Sequence, residues 1–217
     1  FVEPLAVVEA NNELRMLEIK ESREIERILS ELSAEVAAIS VSLGLNYENI
    51  TELAFLFGCA ELARKTEAVE PLILDERKCI LKGARHPLID RKKVVPISFS
   101  LGVDFDTLII TGPNTGGKTV SLKTIGLFAL MAQAGLQVPA EEGTALCVFE
   151  KILVDLGDEQ SIEQSLSTFS AQMVNIVSII NEKDPHSLVL FDELGAGTDP
   201  IEGAALAVAV IEDVRES

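Results

Sequence analysis

From Asn11 onward, apolar residues recur at steps of three and four: Leu14, Leu17, Ile25, Ile28, Leu32, Val36 and Ile39. That spacing draws one stripe down a helix, with Glu, Lys and Arg on the opposite face. Asn11 or Asn12 is the expected cap and Gly44 the expected stop. A second helix is predicted after Asn49, through Leu53, Leu56, Phe57, Ala60 and Leu62 to about Lys65. Two consecutive amphipathic helices make a scaffold or lever and carry no chemistry. Their stripe suits packing onto a following domain better than a coiled-coil partner.

The texture changes at Pro71, where a domain boundary is expected: residues 1–70 as a helical segment, 71–217 as a second domain. Short β-rich runs then appear at Cys79-Ile80-Leu81, residues 94–99 and Thr107-Leu108-Ile109-Ile110. The last runs directly into a Gly-rich loop. A helix is predicted from Lys118 to about Ala134, stopped by Gly135 and then Pro139. Residues 152–156 read as a strand, 169–180 as a helix, Leu188-Val189-Leu190-Phe191 as a wholly apolar strand, and the chain from Ile201 as a last helix. Strands alternating with helices, with apolar runs buried on both faces, predict an α/β domain with a mostly parallel sheet.

Composition narrows the function classes. With 47% hydrophobic and 24% charged residues, the 217-residue chain can bury a core. No apolar run reaches membrane-spanning length, so no membrane partner is expected. The opening Phe1-Val2-Glu3-Pro4 lacks both an initiator Met and a signal-peptide pattern, which reads as a piece of a longer protein. Cys59, Cys79 and Cys147 have no metal-ligand spacing and read as ordinary thiols of a reducing, cytoplasmic setting. A formal charge of −17, from 35 acidic and 18 basic residues, makes a poor general grip on nucleic acid. Contacts with DNA should therefore come from a local basic patch or from regions outside this chain.

Gly112-Pro113-Asn114-Thr115-Gly116-Gly117-Lys118-Thr119 fits G-x-x-x-x-G-K-[ST] at every constrained position. Glycines let the backbone curl until its N–H groups converge on phosphate oxygens. The following helix adds the positive end of its dipole. Lys118 is then placed for the β- and γ-phosphates of ATP and the Thr119 hydroxyl for Mg²⁺. A structural Gly-rich turn could match the string by chance, but it would not need a β-branched run before it and an amphipathic helix after it. Downstream, Ser187-Leu188-Val189-Leu190-Phe191 delivers Asp192 and Glu193 to the end of a buried strand. That end of a parallel sheet is where phosphate loops sit. Asp192 is the expected Mg²⁺ partner and Glu193 the expected general base for the attacking water. Gly195-Ala196-Gly197-Thr198-Asp199-Pro200 follows as a tight turn, a candidate contact with a second subunit.

These residues resemble the MutS ATPases, relatives of the ABC and SMC ATPases. The loop from Thr111 to Thr119 is similar to theirs; Ser167-Thr168-Phe169-Ser170-Ala171-Gln172-Met173 resembles the signature that begins Ser-Thr-Phe; Ala84-Arg85-His86-Pro87-Leu88 resembles the opening of the ATPase domain. Two further stretches, residues 157–166 and Gly197-Thr198-Asp199-Pro200-Ile201-Glu202-Gly203, look like the type-two branch, as do residues 1–70 as the end of its core and lever helices. The resemblance implies a P-loop NTPase fold and an ATPase working as a homodimer, with Ser167 completing the partner's site in trans. It places Val94 and Val95 near the adenine. It also implies binding of branched DNA, restraint of homologous recombination, a link to stalled ribosomes, and in many members a C-terminal Smr nuclease domain. The chain stops before the strand that carries the family's Thr-Thr-His switch, so it is expected to bind nucleotide and turn it over poorly. His86 and His186 do not match that switch and are expected to be structural.

A nucleotide-gated dimerisation module of an ABC- or SMC-like ATPase is the alternative from another class, with hydrolysis incidental. An LSGGQ-type signature is absent, which disfavours an ABC transporter ATPase. No segment resembles the acceptor lid of a small-molecule kinase.

Overall fold

Helical periodicity at the start of the chain gives α1 (Leu5–Ala38) and α2 (Ser40–Thr66) in the computed structural model, which describes residues 4–113, 116–156 and 165–216, the side chains of 165–169 excepted. Pro4, not Asn11 or Asn12, precedes the first turn of α1. The break falls at Ile39, whose φ of −113° and ψ of 9° leave the helical region, and the two helices bend there by 62°. Gly44 does not stop the helix, and α2 begins before Asn49. A helix-interior glycine costs only ~1 kcal/mol, which the rest of a 27-residue helix outweighs. No residue of α1 or α2 is buried, and the stripe from Leu14 to Ile39 stays about half-exposed. Among the described residues no single helix is long and apolar enough to cross a membrane; α1 and α2 pass such a test only when joined across their bend.

Contacts divide the chain into two units, residues 1–57 and 58–217. The division lies inside α2, ahead of the change of texture at Pro71. The second unit holds two sheets. β1 (Leu72–Leu74), β2 (Cys79–Ala84), β3 (Ile97–Leu101) and β4 (Ala145–Cys147) form the order β1-β4-β2-β3. β1 and β4 are parallel, whereas β2 is antiparallel to both β3 and β4. β5 (Lys151–Asp155) and β6 (Ser187–Phe191) form a parallel pair, in register from Lys151 opposite Ser187 to Asp155 opposite Phe191.

The domain is therefore mixed α/β, and among the described residues two strand pairings are parallel and two antiparallel. β2 returns to β3 through residues 85–96 without a crossover helix, which favours an antiparallel neighbour. Residues 107–110, predicted as a strand, have no ladder partner among the described residues, and Ile109 is 66% exposed.

One helix ties the two sheets together. α3 (Lys118–Gln133) buries Ile125, Phe128 and Ala129 in a cluster with Leu81 of β2, Leu146 of β4 and Leu188 and Leu190 of β6. Gly126 lets α3 come close to β6: a Cβ there would lie 3.0 Å from Leu190 Cδ1. The start of α3 is thus held beside the strand that leads to Asp192. α4 (Ser165–Glu182) packs on β5, and α5 (Pro200–Arg215) closes the described chain. The Asp199 carboxylate accepts from the N–H groups of Ile201 and Glu202, so it caps α5, and Pro200 occupies the first turn.

Candidate nucleotide site

The loop before α3 ends in Gly117, whose φ of +81° is a left-handed conformation that glycine adopts without a Cβ penalty. Gly117 has no side chain with which to cap α3, and the positive end of the helix dipole lies at the loop. Gly116 donates its N–H to the Pro113 carbonyl at 2.9 Å, which curls the loop. Lys118 Nζ donates to the Gly112 carbonyl at 2.6 Å. Asn114 and Thr115 lie outside the described residues. Gly112, Pro113 and Gly116 are exposed, and Gly117, Lys118 and Thr119 are half-buried.

At the end of the neighbouring strand β6, Thr119 Oγ1 donates to Asp192 Oδ2 at 2.5 Å. Residues 73 positions apart thereby meet at one point. Asp192 is buried at 6% exposure, and its other oxygen accepts the Glu193 N–H at 3.1 Å. A hydroxyl and a carboxylate side by side are hard oxygen donors. They suit Mg²⁺, which takes one or two protein oxygens and leaves its other positions to phosphates and water. Among the described residues no cluster of three or more His, Cys, Asp or Glu forms a self-sufficient metal cage.

Glu193 is exposed and has φ +49°, a region that costs a residue with a Cβ about 1–2 kcal/mol. The turn after it holds that conformation. Ala196 N–H donates to the Glu193 carbonyl at 2.9 Å. Gly195, at φ +82°, lies backbone against backbone with Gly203 of α5. Strain at an exposed carboxylate next in sequence to buried Asp192 fits a residue placed for chemistry.

Asp155, which the sequence pattern did not single out, is joined to the same strand end. It closes β5, is buried at 7% exposure, and its backbone carbonyl accepts the Asp192 N–H at 2.8 Å. Its carboxylate accepts from Asn175 Nδ2 at 2.7 Å and Gln172 Nε2 at 3.0 Å, both on α4. The available signal was an Asp ending an apolar strand, together with two amides three residues apart on one helical face.

Other predicted positions are more scattered. The backbone of Ser167 lies in the first turn of α4; its side chain and residues 157–164 are outside the described residues. Val94 is half-buried and Val95 exposed. His86 accepts the Leu88 N–H on Nδ1 at 3.3 Å, and partial burial, then nearby Lys123, holds its pKa below the ordinary value. Cys79 and Cys147 are buried and Cys59 is half-buried; burial, with Cys147 nearby, pushes the Cys79 thiol up to about 12. A groove of about 990 Å³ follows β6 between residues 107–110 and α5. Lys118, Asp192 and Glu193 are among the residues that line it.

The family profile described as MutS domain V matches residues 108–217, which contain the loop, both carboxylates and α3 to α5. The chain belongs to the MutS family. It is 59% identical over 215 residues to the Endonuclease MutS2 of Acetivibrio thermocellus, 56% over 215 residues to that of Clostridioides difficile, and 58% over 215 residues to that of a Geobacillus species. Each match covers 99% of this chain and 27% of the relative. These likenesses support the type-two branch of the MutS family. They extend through α1 and α2, which the family profile does not reach.

Proposed function

We propose that this chain is the ATP-binding and hydrolysing part of a MutS-like protein that binds DNA as a homodimer. The observation that carries the reading is the meeting of Thr119 and Asp192 at the start of the helix that follows the Gly-rich loop, at the positive end of its dipole. On this reading the domain is a P-loop NTPase. The N–H groups of the loop, residues 112–119, receive the phosphates of ATP, and Lys118 exchanges the Gly112 carbonyl for β- and γ-phosphate oxygens. Thr119 and Asp192 would hold Mg²⁺, which supplies charge neutralisation on the phosphates. Glu193, kept in its strained conformation by the following turn, orients and deprotonates the attacking water. Ser167 contributes to the partner's site across the dimer.

The wider role follows from the family branch. We infer a cytoplasmic protein whose nucleotide cycle drives a clamp on branched DNA, restraining recombination, with stalled ribosomes as a second target. Its DNA grip and its endonuclease activity reside in parts of the parent protein beyond this acidic segment. A domain boundary near residue 70 fits the change from helices to β-rich sequence.

A single-turnover assay of Mg·ATP hydrolysis by this chain and by Glu193→Gln tests the reading. The chain should form ADP slowly, and the variant should retain ATP while forming at least about 100-fold less product, within the range for loss of a general base. Equal product from both would remove Glu193 from the chemistry. In the parent dimer, full DNA function by the ATP-trapped Glu193→Gln protein would favour the nucleotide-gated module.

A further inference from the structure

The contacts of Asp155 single out α4 as more than packing. A carboxylate buried at the end of β5 is costly unless its oxygens are satisfied, and here each receives an amide from the same helix. Gln172 does something further. Its Nε2 carries two hydrogens; besides the 3.0 Å contact to Asp155 it lies 3.4 Å from the backbone carbonyl of Asp192. Asn175, one turn along, lies 3.4 Å from the carbonyl of Val154 and so reads only β5. One amide on α4 therefore spans the ends of both parallel strands. An apolar residue at position 172 could fill the space, but it could not bond to both strand ends.

We propose that Gln172 is a positioning residue that couples the Asp192 strand end to α4. The proposal rests on the ATPase reading given above. Asp192 faces Thr119 with its side chain and Gln172 with its carbonyl. A shift of Asp192 when Mg·ATP arrives therefore pulls on Gln172. Ser167 lies five residues earlier on the same helix, about 7.5 Å along its axis at 1.5 Å per residue. The coupling passes the state of the phosphate site to the helical turn that carries Ser167, and passes the position of α4 back to Asp192 and Glu193.

A reversal of polarity separates this role from simple support. Gln172→Glu sets a second carboxylate against Asp155 and should lower both the melting temperature and the hydrolysis rate. Combining it with Asp155→Asn restores one hydrogen bond, now donated by residue 155, while Asn175 can still donate to the remaining oxygen. The carboxylate that replaces the amide at position 172 has no hydrogen for the Asp192 carbonyl. The double variant should thus regain most of the melting temperature lost in Gln172→Glu and still bind Mg·ATP, yet hydrolyse bound ATP at least about tenfold more slowly than wild type. Gln172→Met, which removes both contacts without adding charge, should show the same split between affinity and rate. Recovery of the rate together with stability in the double variant, or a wild-type rate in Gln172→Met, would overturn the coupling while leaving the ATPase reading intact. Failure of the wild-type chain to hydrolyse ATP in single turnover would instead remove the ATPase reading and the coupling with it.

Discussion

Gly203→Ala should destabilise the protein, although alanine is the better helix former. Position 203 lies within α5, where replacing glycine normally gains about 1 kcal/mol. A Cβ there, however, would stand 2.2 Å from the Gly195 carbonyl oxygen and 3.3 Å from Thr198 Cγ2. Relief requires about 1 Å of movement between two backbones, since C···O contacts tighten below roughly 3.3 Å. Neither backbone is free to give: Gly203 donates its N–H to the Asp199 carbonyl at 2.8 Å, and Gly195 holds φ +82° in the turn after Glu193. Overpacking of this kind costs roughly 1–3 kcal/mol, and a contact with rigid backbone belongs at the upper end. Net loss after the propensity gain is therefore about 1–2 kcal/mol, a fall of several degrees in melting temperature for a domain of this size. Urea denaturation of the variant beside Gly58→Ala gives the comparison. Gly58 also lies within a helix, but a Cβ there meets nothing within 4 Å. That substitution should be neutral or stabilising by up to about 1 kcal/mol. A Gly203→Ala protein as stable as wild type would refute the close packing of the turn on α5, and with it the reason given for the Glu193 conformation.

Glu193→Gly relieves a left-handed conformation, so the variant should be at least as stable as wild type while its hydrolysis falls at least about 100-fold; denaturation and single-turnover assays read the two effects. Because the folded pKa of His86 lies below its ordinary 6.5, the unfolded chain takes up that proton first as pH falls. Stability from this group is thus intact above pH 6.5 and declines as pH drops through the lowered folded value, a slope that His86→Gln should flatten in pH-dependent melting. The half-buried Cys59 should react with iodoacetamide at about pH 8 well before Cys79, whose thiol is buried and pushed up to about 12; peptide mass spectrometry after timed quenching shows the order.

The features legible in the sequence are those written in consecutive residues. The helix ending before Gly135, the apolar run of β6 and the Asp199-Pro200 start of α5 each carry local signals that the structure repeats. The convergence of Thr119 and Asp192 follows from the general habit of parallel sheets, and β5 and β6 are indeed parallel. Pairing between distant segments was less visible. β1 and β4 are three residues each, too short for alternation to announce them, and β2 pairs antiparallel because its return to β3 has no crossover helix. Gly44 misled because one glycine is a small cost within a long helix, and the break at Ile39 falls on the last residue of the apolar stripe, with no glycine or proline to mark it. Asp155, Gln172 and Asn175 each look like routine polar positions. Only the packing of α4 on β5 brings them to one strand end.

Titration calorimetry of this chain with Mg·ATP, beside Lys118→Ala, bears most directly on the nucleotide site. Losing a charged hydrogen-bond donor is worth roughly 1.5–3 kcal/mol, or about 10- to 100-fold in affinity. Saturable binding by the chain, weakened by that factor in the variant, is the predicted result. Equal affinity in the two proteins, or no binding by either, would contradict a nucleotide site built on the Gly112–Thr119 loop of this chain.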